Sequence, residues 1–142
     1  MPRSVSLGVL GWLALTPHAS AQGLMRRIGS IQSYATGSVI TAPDTVRVAA
    51  PFLVTVNTFG SSSCTIPDGA TITIAGLLAT ITPYDRVPRE PTICTGDIAP
   101  RPHRVQVTFG VAGPATIRVQ GYTINKGQRV LSSVDHAVVV QP

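Results

Sequence analysis

Apolar and polar residues alternate along most of this chain, and this alternation limits the fold more than any other feature of the sequence. Successive side chains of an extended strand point to opposite faces, so a period of two places the apolar set on one face. Beyond the first 21 residues, no window of eleven residues has the i, i+3, i+4 spacing of an amphipathic helix. The pattern therefore predicts an all-β protein, with one short helical turn at residues 24–31 as the single exception.

The clearest alternation predicts a β-hairpin. Residues 104–111 and 115–120 carry apolar side chains at every second position, and a turn-forming Val-Ala-Gly-Pro segment at 111–114 separates them. Gly76 marks a turn or bulge between two further strands, and Pro43 interrupts the first predicted strand. These further strands are predicted at residues 38–41, 45–48, 52–59, 70–75, 77–81 and 134–140.

Turn clusters separate about seven strands at intervals of roughly 8–15 residues, which is typical of an antiparallel β-sandwich. One face of each predicted strand supplies the predicted core. Its members are Val46, Val48, Phe52, Val54, Val56, Ile72, Ile74, Ile81, Val105, Val107, Phe109, Ile117, Val119 and Val138.

The first 21 residues have the three parts of a secretory signal peptide. Arg3 supplies a positive charge, residues 5–15 form an apolar run, and the Ala-Ser-Ala sequence at 19–21 provides the small residues that signal peptidase requires. Eleven helical residues rise only about 16 Å, whereas a bilayer core is about 30 Å thick, which disfavours a membrane anchor. We predict cleavage after Ala21, no transmembrane segment after it, and a secreted or periplasmic protein.

The two cysteines, Cys64 and Cys94, are predicted to form a disulfide. Secreted proteins fold in oxidising compartments, where paired cysteines persist. A redox pair usually has the C-x-x-C spacing, and the separation of 30 residues does not match it.

Residues 84–104 are predicted to form a long ordered loop, because repeated prolines disfavour a central strand there, with at most a short edge strand at 93–95. The loop carries four arginines, whose guanidinium groups match phosphate, sulfate and carboxylate groups. Together with the formal net charge of +5, they favour an acidic partner. The predicted ligand-binding residues are Tyr84, Arg86, Arg89, Arg101, His103 and Arg104.

Three interpretations of this loop are open. Its arginines are solvated charges that keep the loop soluble, or they bind an acidic polymer such as an anionic glycan, lipopolysaccharide or extracellular DNA. In the third, the prolines and the disulfide stiffen a protein-recognition loop. A specific nucleic-acid reader is not expected, because such proteins stack bases on aromatic side chains and only Tyr84 is nearby.

The sequence contains no pattern of a catalytic or metal centre. The G-x-S-x-G motif is missing, and the three serines at 61–63 lie in a predicted turn. After Ala21 only two histidines remain, His103 and His136, in different predicted parts of the sheet, whereas a metal site needs clustered ligands. We expect no catalytic residue, no metal and no cofactor, and a small hydrolase or a metal-binding protein is the less favoured alternative.

Several segments resemble bacterial immunoglobulin-like sandwich domains of the PKD or fibronectin III kind. They are residues 51–56, 103–109, Gly113, 116–122 and 138–140. The resemblance implies a secreted immunoglobulin-like β-sandwich of about seven strands with an adhesion, assembly or ligand-presenting role. The chain departs from antibody-type domains, because no tryptophan follows the signal peptide and the cysteines are not expected on two facing strands.

The predicted organisation is a signal peptide at residues 1–21, an N-terminal extension at 22–37 and an immunoglobulin-like domain at 38–142. We expect a non-catalytic binding or structural module of the cell envelope or the secreted fraction, with the 84–104 loop as its contact surface. Its expected partner is an acidic polymer or an envelope protein. The alternative is a self-assembling or adhesion subunit that pairs through strand edges such as 134–140. The sequence does not predict an oligomeric state.

Overall fold

The computed structural model describes residues 23–32 and 37–142, and this part of the chain forms β-strands without a helix. The predicted signal peptide and its cleavage point lie outside the described residues. The strands are β1 (Leu24–Ile28), β2 (Ile40–Thr41), β3 (Thr45–Arg47), β4 (Phe52–Gly60), β5 (Ile66–Ala75), β6 (Leu78–Pro88), β7 (Ala99–Val107), β8 (Gly113–Asn125) and β9 (Gln128–Gln141). Neither described range contains a helix that is long and apolar enough to span a bilayer.

The strands form two sheets around one core. The larger sheet is curled and has the order β1-β6-β8-β9-β3, with β5 on the opposite edge of β6. The smaller sheet has the order β2-β4-β7. The all-β prediction is confirmed, whereas the expected helical turn at residues 24–31 is wrong. That segment is extended, because β1 pairs along the last part of β6.

The predicted hairpin between residues 104–111 and 115–120 is also wrong. β7 pairs with β4 in the smaller sheet, while β8 pairs with β6 and β9 in the larger one, so the chain crosses between sheets here. Alternation defines the buried face of a strand, and since both sheets bury an inner face, it does not select the partner strand. Two hairpins do form. β5 joins β6 through Gly76 and Leu77, at the turn predicted from Gly76, and β8 joins β9 through Lys126 and Gly127. Gly76, Lys126 and Gly127 all have positive φ.

The predicted 84–104 loop shrinks to residues 89–98, because β6 continues into it and β7 begins before its end. β6 is a central strand, contrary to the expectation. β7 tolerates its prolines because it is the edge strand of the smaller sheet. Asn57 of β4 is the pairing partner of Pro102. The Asn57 N–H group points away from β7 and donates to the Val39 carbonyl, so this pair is not one that exchanges hydrogen bonds and it needs no N–H group from the proline.

The core lies between the two sheets and largely matches the prediction. Every predicted core residue except Ile74 is buried or half-buried, and Ile74 is 43% exposed near the end of β5. Phe109, Ile81 and Ile117 are the largest side chains in full burial, a state worth about 1.5–3 kcal/mol for such a residue. The core also takes in Ile31, which follows β1 and packs with the later strands.

The disulfide between Cys64 and Cys94 is confirmed. It ties the turn after β4 to the 89–98 loop. Ile98 of that loop lies beside Gly60 of β4 and beside Ile124, near the tip of the β8–β9 hairpin. We call this part of the molecule the disulfide end.

Candidate functional site

Two of the predicted ligand-binding residues, Tyr84 and Arg86, lie on the outer side of β6, and Arg86 already forms an ion pair with Asp68 there. The Asp68 carboxylate accepts from two arginines, with Arg86 Nη2 at 2.9 Å from one oxygen and Arg26 Nε at 3.0 Å from the other. Arg26 also stacks on the Tyr84 ring, at 3.7 Å from the ring centre. Asp68 therefore stands between two arginines and offsets their repulsion.

Three other predicted ligand-binding residues belong to β7 and divide between its two sides. Arg101 and His103 face the interior, whereas Arg104 is exposed on the outer side of the smaller sheet. Arg101 Nη2 donates to the Ser61 carbonyl at 3.1 Å, and its buried Nε has no hydrogen-bond partner in the structure. The structure does not bring the six predicted residues together on one surface, because a strand sends alternate side chains to opposite faces.

His103 instead joins a buried polar cluster with Thr58 of β4 and Asp85 of β6. All three side chains are almost fully excluded from solvent. His103 Nε2 lies 3.1 Å from Asp85 Oδ1 and 3.2 Å from Thr58 Oγ1, and Thr58 Oγ1 donates to the same carboxylate oxygen at 3.0 Å. On its other side, His103 Nδ1 lies 3.1 Å from the Gly69 carbonyl. Since a carbonyl oxygen only accepts, Nδ1 carries a proton and donates to it.

The geometry of the buried polar cluster differs from that of a catalytic triad. In a triad the acid and the nucleophile bind opposite nitrogens of the histidine. Here Asp85 and Thr58 share Nε2, and a backbone carbonyl holds Nδ1. The cluster instead links β4 and β7 of the smaller sheet to β5 and β6 of the larger one, and it satisfies its polar atoms from within the protein. The sequence analysis did not identify Thr58 or Asp85, since the three residues are far apart in the chain.

The 89–98 loop is held at its base by the serine-rich turn. Thr95 Oγ1 lies 2.8 Å from Ser61 Oγ, and the Thr95 N–H group donates to Ser63 Oγ at 2.9 Å. Hydrogen bonds from the side chain of Thr95 and from Ser62 lower the pKa of Asp97 to about 2. With the disulfide beside them, these contacts fix the loop at its base.

One apolar side chain projects from this anchored loop. Ile93 is 99% exposed, and it directly precedes the disulfide-bonded Cys94. The next most exposed large apolar residues of the described chain, Val111 and Leu131, are 56% exposed. Ile93 therefore makes almost no contact within its own chain.

Two cavities adjoin each other at the disulfide end. The first, of about 410 Å³, lies under the 89–98 loop, and Arg27, Arg89, Glu90 and the disulfide are part of its wall. The second, of about 270 Å³, lies between β1, the end of β4 and the β8–β9 hairpin, and we call it the arginine cavity. Arg27 belongs to both walls, and Arg129 belongs to the arginine cavity.

The arginine cavity brings two cations together. Partial burial lowers the pKa of Arg27, the neighbouring Arg129 guanidinium lowers it further, and Asp85 acts in the opposite direction. Arg27 remains charged at neutral pH despite this lowering, because the ordinary pKa of arginine lies far above it. The sequence analysis missed this pair, since it grouped arginines by their proximity in the chain.

Within the described ranges, no group of three or more His, Cys, Asp or Glu side chains is arranged to hold a metal ion. His103 and His136 lie in different sheets, as their positions on β7 and β9 require. No protein-family model, curated protein or solved structure matches this chain.

Proposed function

We propose that this chain is a non-catalytic binding module of the bacterial cell envelope or the secreted fraction, and that it recognises a protein partner through the 89–98 loop. The observation that carries the proposal is the full exposure of Ile93 on a loop anchored by the Cys64–Cys94 disulfide. The contact surface is thus narrower than the 84–104 segment, and of the four arginines in that segment only Arg89 belongs to the loop.

Burial of the Ile93 side chain in a partner and the rigidity of the 89–98 loop both favour binding. An isoleucine side chain that moves from water into an apolar pocket gains about 1.5–3 kcal/mol. A loop already fixed by a disulfide and by the Thr95 contacts loses little conformational freedom on binding, which leaves more of that gain as affinity. A few side chains buried in well-packed pockets carry most of the binding energy of a protein interface.

The envelope location and the immunoglobulin-like family are parts of the same proposal. Secretion is supported by the signal-peptide pattern of residues 1–21 and by a disulfide that requires an oxidising compartment. The sandwich assignment is supported by two sheets that enclose one apolar core. The described chain departs from an antiparallel seven-strand sandwich in its nine strands, its curled larger sheet and the parallel pairs β3–β9 and β6–β8.

The test begins with identification of the partner. A photo-cross-linking amino acid placed at position 93 in the full chain, in cells of the source organism, is expected to capture one envelope or secreted protein. Ile66 is 46% exposed on β5 and provides the control position. The same capture from positions 93 and 66 would contradict the proposal.

The captured partner then allows a quantitative measurement. Ile93→Ser should weaken binding to the purified partner at least about tenfold, since tenfold corresponds to about 1.4 kcal/mol and the buried side chain is worth more. Ile66→Ser should leave the affinity unchanged. Equal affinities of the wild type and Ile93→Ser would exclude the loop as the contact surface.

A second candidate function is self-assembly through β9. One edge of this strand pairs with β8 along its length. The other edge is covered by β3, but only at Val139, Val140 and Gln141. Among the described residues, no strand pairs with that edge at residues 128–138. An open strand edge is a template for strand addition. Sedimentation should show a dimer that Ser133→Pro dissociates if this candidate is correct, and a monomer at every concentration would exclude it.

A further inference from the structure

The arginine cavity has Ile98 of the 89–98 loop in its wall but lies away from the exposed Ile93, and neither of its two arginines forms an ion pair among the described residues. We propose that this cavity binds a small ligand that carries one oxyanion group, phosphate, sulfate or carboxylate, on a flat apolar body. Arg27 and Arg129 would hold the oxyanion, and the apolar part of the wall would hold the body. None of the residues in the wall of this cavity is among the six ligand-binding residues predicted from the sequence.

Arg129 is placed for this role by contacts on two sides. Its guanidinium carbon lies 4.2 Å from the centre of the Tyr122 ring, and Nη2 donates to the Ile28 carbonyl at 3.0 Å. Stacking and this hydrogen bond fix the plane of the guanidinium group. A guanidinium group has five N–H donors, so donors remain for an anion in the cavity.

Arg27 supplies the second cation and has no counter-ion of its own. No ion pair within the described residues involves Arg27 or Arg129. Two carboxylates are near Arg27. Glu90 shares the wall of the first cavity with it but forms no ion pair among the described residues. Asp85 is buried, accepts from Thr58 and pairs with His103. The free protein therefore keeps two like charges close together, and a bound anion would remove that repulsion.

The rest of the molecule shows that this arrangement is unusual for the chain. Where Arg26 and Arg86 approach each other, Asp68 lies between them. Arg118 likewise pairs with Asp135 at 2.8 Å. At the arginine cavity, by contrast, no carboxylate lies between the two guanidinium groups, and both line an open volume.

The remaining wall defines the ligand further. Phe59, Tyr122 and Ile124 supply apolar surface, while Ser30 and Gln32 add polar groups. The volume of about 270 Å³ lies just below the range of about 300–1,000 Å³ that is usual for ligand sites, so the ligand must be small. A single ring with one anionic substituent fits such a wall better than a bare inorganic ion, because the apolar residues would contact the ring.

Phenyl phosphate is the probe that tests this site. Titration calorimetry of the oxidised protein at low ionic strength should show one phenyl phosphate bound per chain, with inorganic phosphate at least about tenfold weaker and phenol without detectable binding. Phenyl sulfate and benzoate then distinguish phosphate from sulfate and carboxylate as the preferred group. Absence of binding by all three anions at millimolar concentration would overturn the proposal.

Matched variants separate the site from general attraction to a basic protein. Arg27→Gln and Arg129→Gln should each weaken phenyl phosphate binding at least about tenfold, the size of one lost charged hydrogen-bond partner. Arg104→Gln removes the same charge from an exposed position on the other sheet and should leave binding unchanged. Arg27→Lys keeps the positive charge but removes the planar guanidinium group with its paired donors, so this variant should lose part of the affinity. Equal losses in Arg104→Gln and Arg27→Gln would overturn the proposal.

Discussion

The buried polar cluster and the arginine cavity lie close together, but their polar groups differ in whether they have partners inside the protein. In the cluster, the hydroxyl of Thr58, the carboxylate of Asp85 and both nitrogens of His103 have partners inside the protein. In the cavity, Arg27 and Arg129 share a wall without a carboxylate between them. A polar group whose partners are all internal serves the fold, whereas a charge left without one is available to a ligand.

Gly29 lies where the two regions meet. A Cβ atom at this position would lie 2.3 Å from Thr58 Cγ2 and 2.8 Å from Asp85 Oδ2. The residues beside Gly29, Ile28 and Ser30, take part in the arginine cavity, Ile28 through its carbonyl contact with Arg129. The close approach of this segment to the buried polar cluster thus brings β1 and its arginine to the cavity.

The largest expected effect comes from breaking the buried polar cluster. His103→Leu leaves the Asp85 carboxylate buried with only Thr58 as a partner, and loss of one member of a buried pair costs about 3–5 kcal/mol. Urea unfolding of the oxidised protein measures this loss. His136→Leu is the control, because His136 is half-buried and its Nε2 atom makes no hydrogen bond and lies 3.5 Å from the exposed Asp44 carboxylate, so the change should cost less than about 1 kcal/mol. Similar losses for both variants would show that the cluster does not hold the sheets together.

Removal of the disulfide should follow closely. The bond closes a loop with a sequence separation of 30, which the chain-entropy model values at about 3–4 kcal/mol. The double variant Cys64→Ser with Cys94→Ser, or the wild type in reductant, should therefore melt at a lower temperature. The double variant should also lose partner binding, since the loop is no longer fixed. A melting temperature that reductant leaves unchanged would contradict the structural role of the bond.

Gly29→Ala should have an intermediate effect, since it forces the two regions apart. The added methyl group meets Thr58 and Asp85 in a packed interior, where overpacking costs about 1–3 kcal/mol. Gly96→Ala is the control, because no atom lies within 4 Å of a Cβ there, and it should be neutral or slightly stabilising. Equal stability of the two variants would show that the close approach at Gly29 relaxes at little cost.

The smallest effect concerns Asp97 and is a pH dependence. The pKa of Asp97 is lowered from 3.8 to about 2, so its contacts contribute stability that is complete above pH 3.8 and is lost as the pH falls towards 2. Hydrogen exchange at the Ser62 amide, which donates to Asp97 Oδ1, should accelerate over this range relative to an unstructured peptide. Asp97→Asn should remove the pH dependence. The same dependence in the variant would assign it to another group.

Much of the fold could be predicted from the sequence, because one-sided burial is local to each strand. Alternation identified β4, the end of β9 and nine of the fourteen residues in the buried core cluster of the described chain. It could not place β7 and β8 in different sheets, since strand pairing joins residues far apart in the chain. The disulfide was predictable because the chain has only two cysteines.

The candidate sites were harder to predict for the same reason. The 84–104 arginines are neighbours in sequence, but the strands separate Arg86, Arg101 and Arg104 onto different sides. Arg27 and Arg129 lie on the first and last strands and meet only in the fold. No pattern within one segment predicts such a pair.

The most direct test of this account is the free energy of unfolding of Arg27→Gln at low ionic strength, with and without phenyl phosphate. If Arg27 is kept for a ligand, the variant without ligand should be as stable as the wild type or more so. Phenyl phosphate at ten times its dissociation constant should then stabilise the wild type by about 1.4 kcal/mol and leave the variant unchanged. A loss above about 1 kcal/mol without ligand, or equal stabilisation of both proteins, would show that Arg27 serves the fold instead.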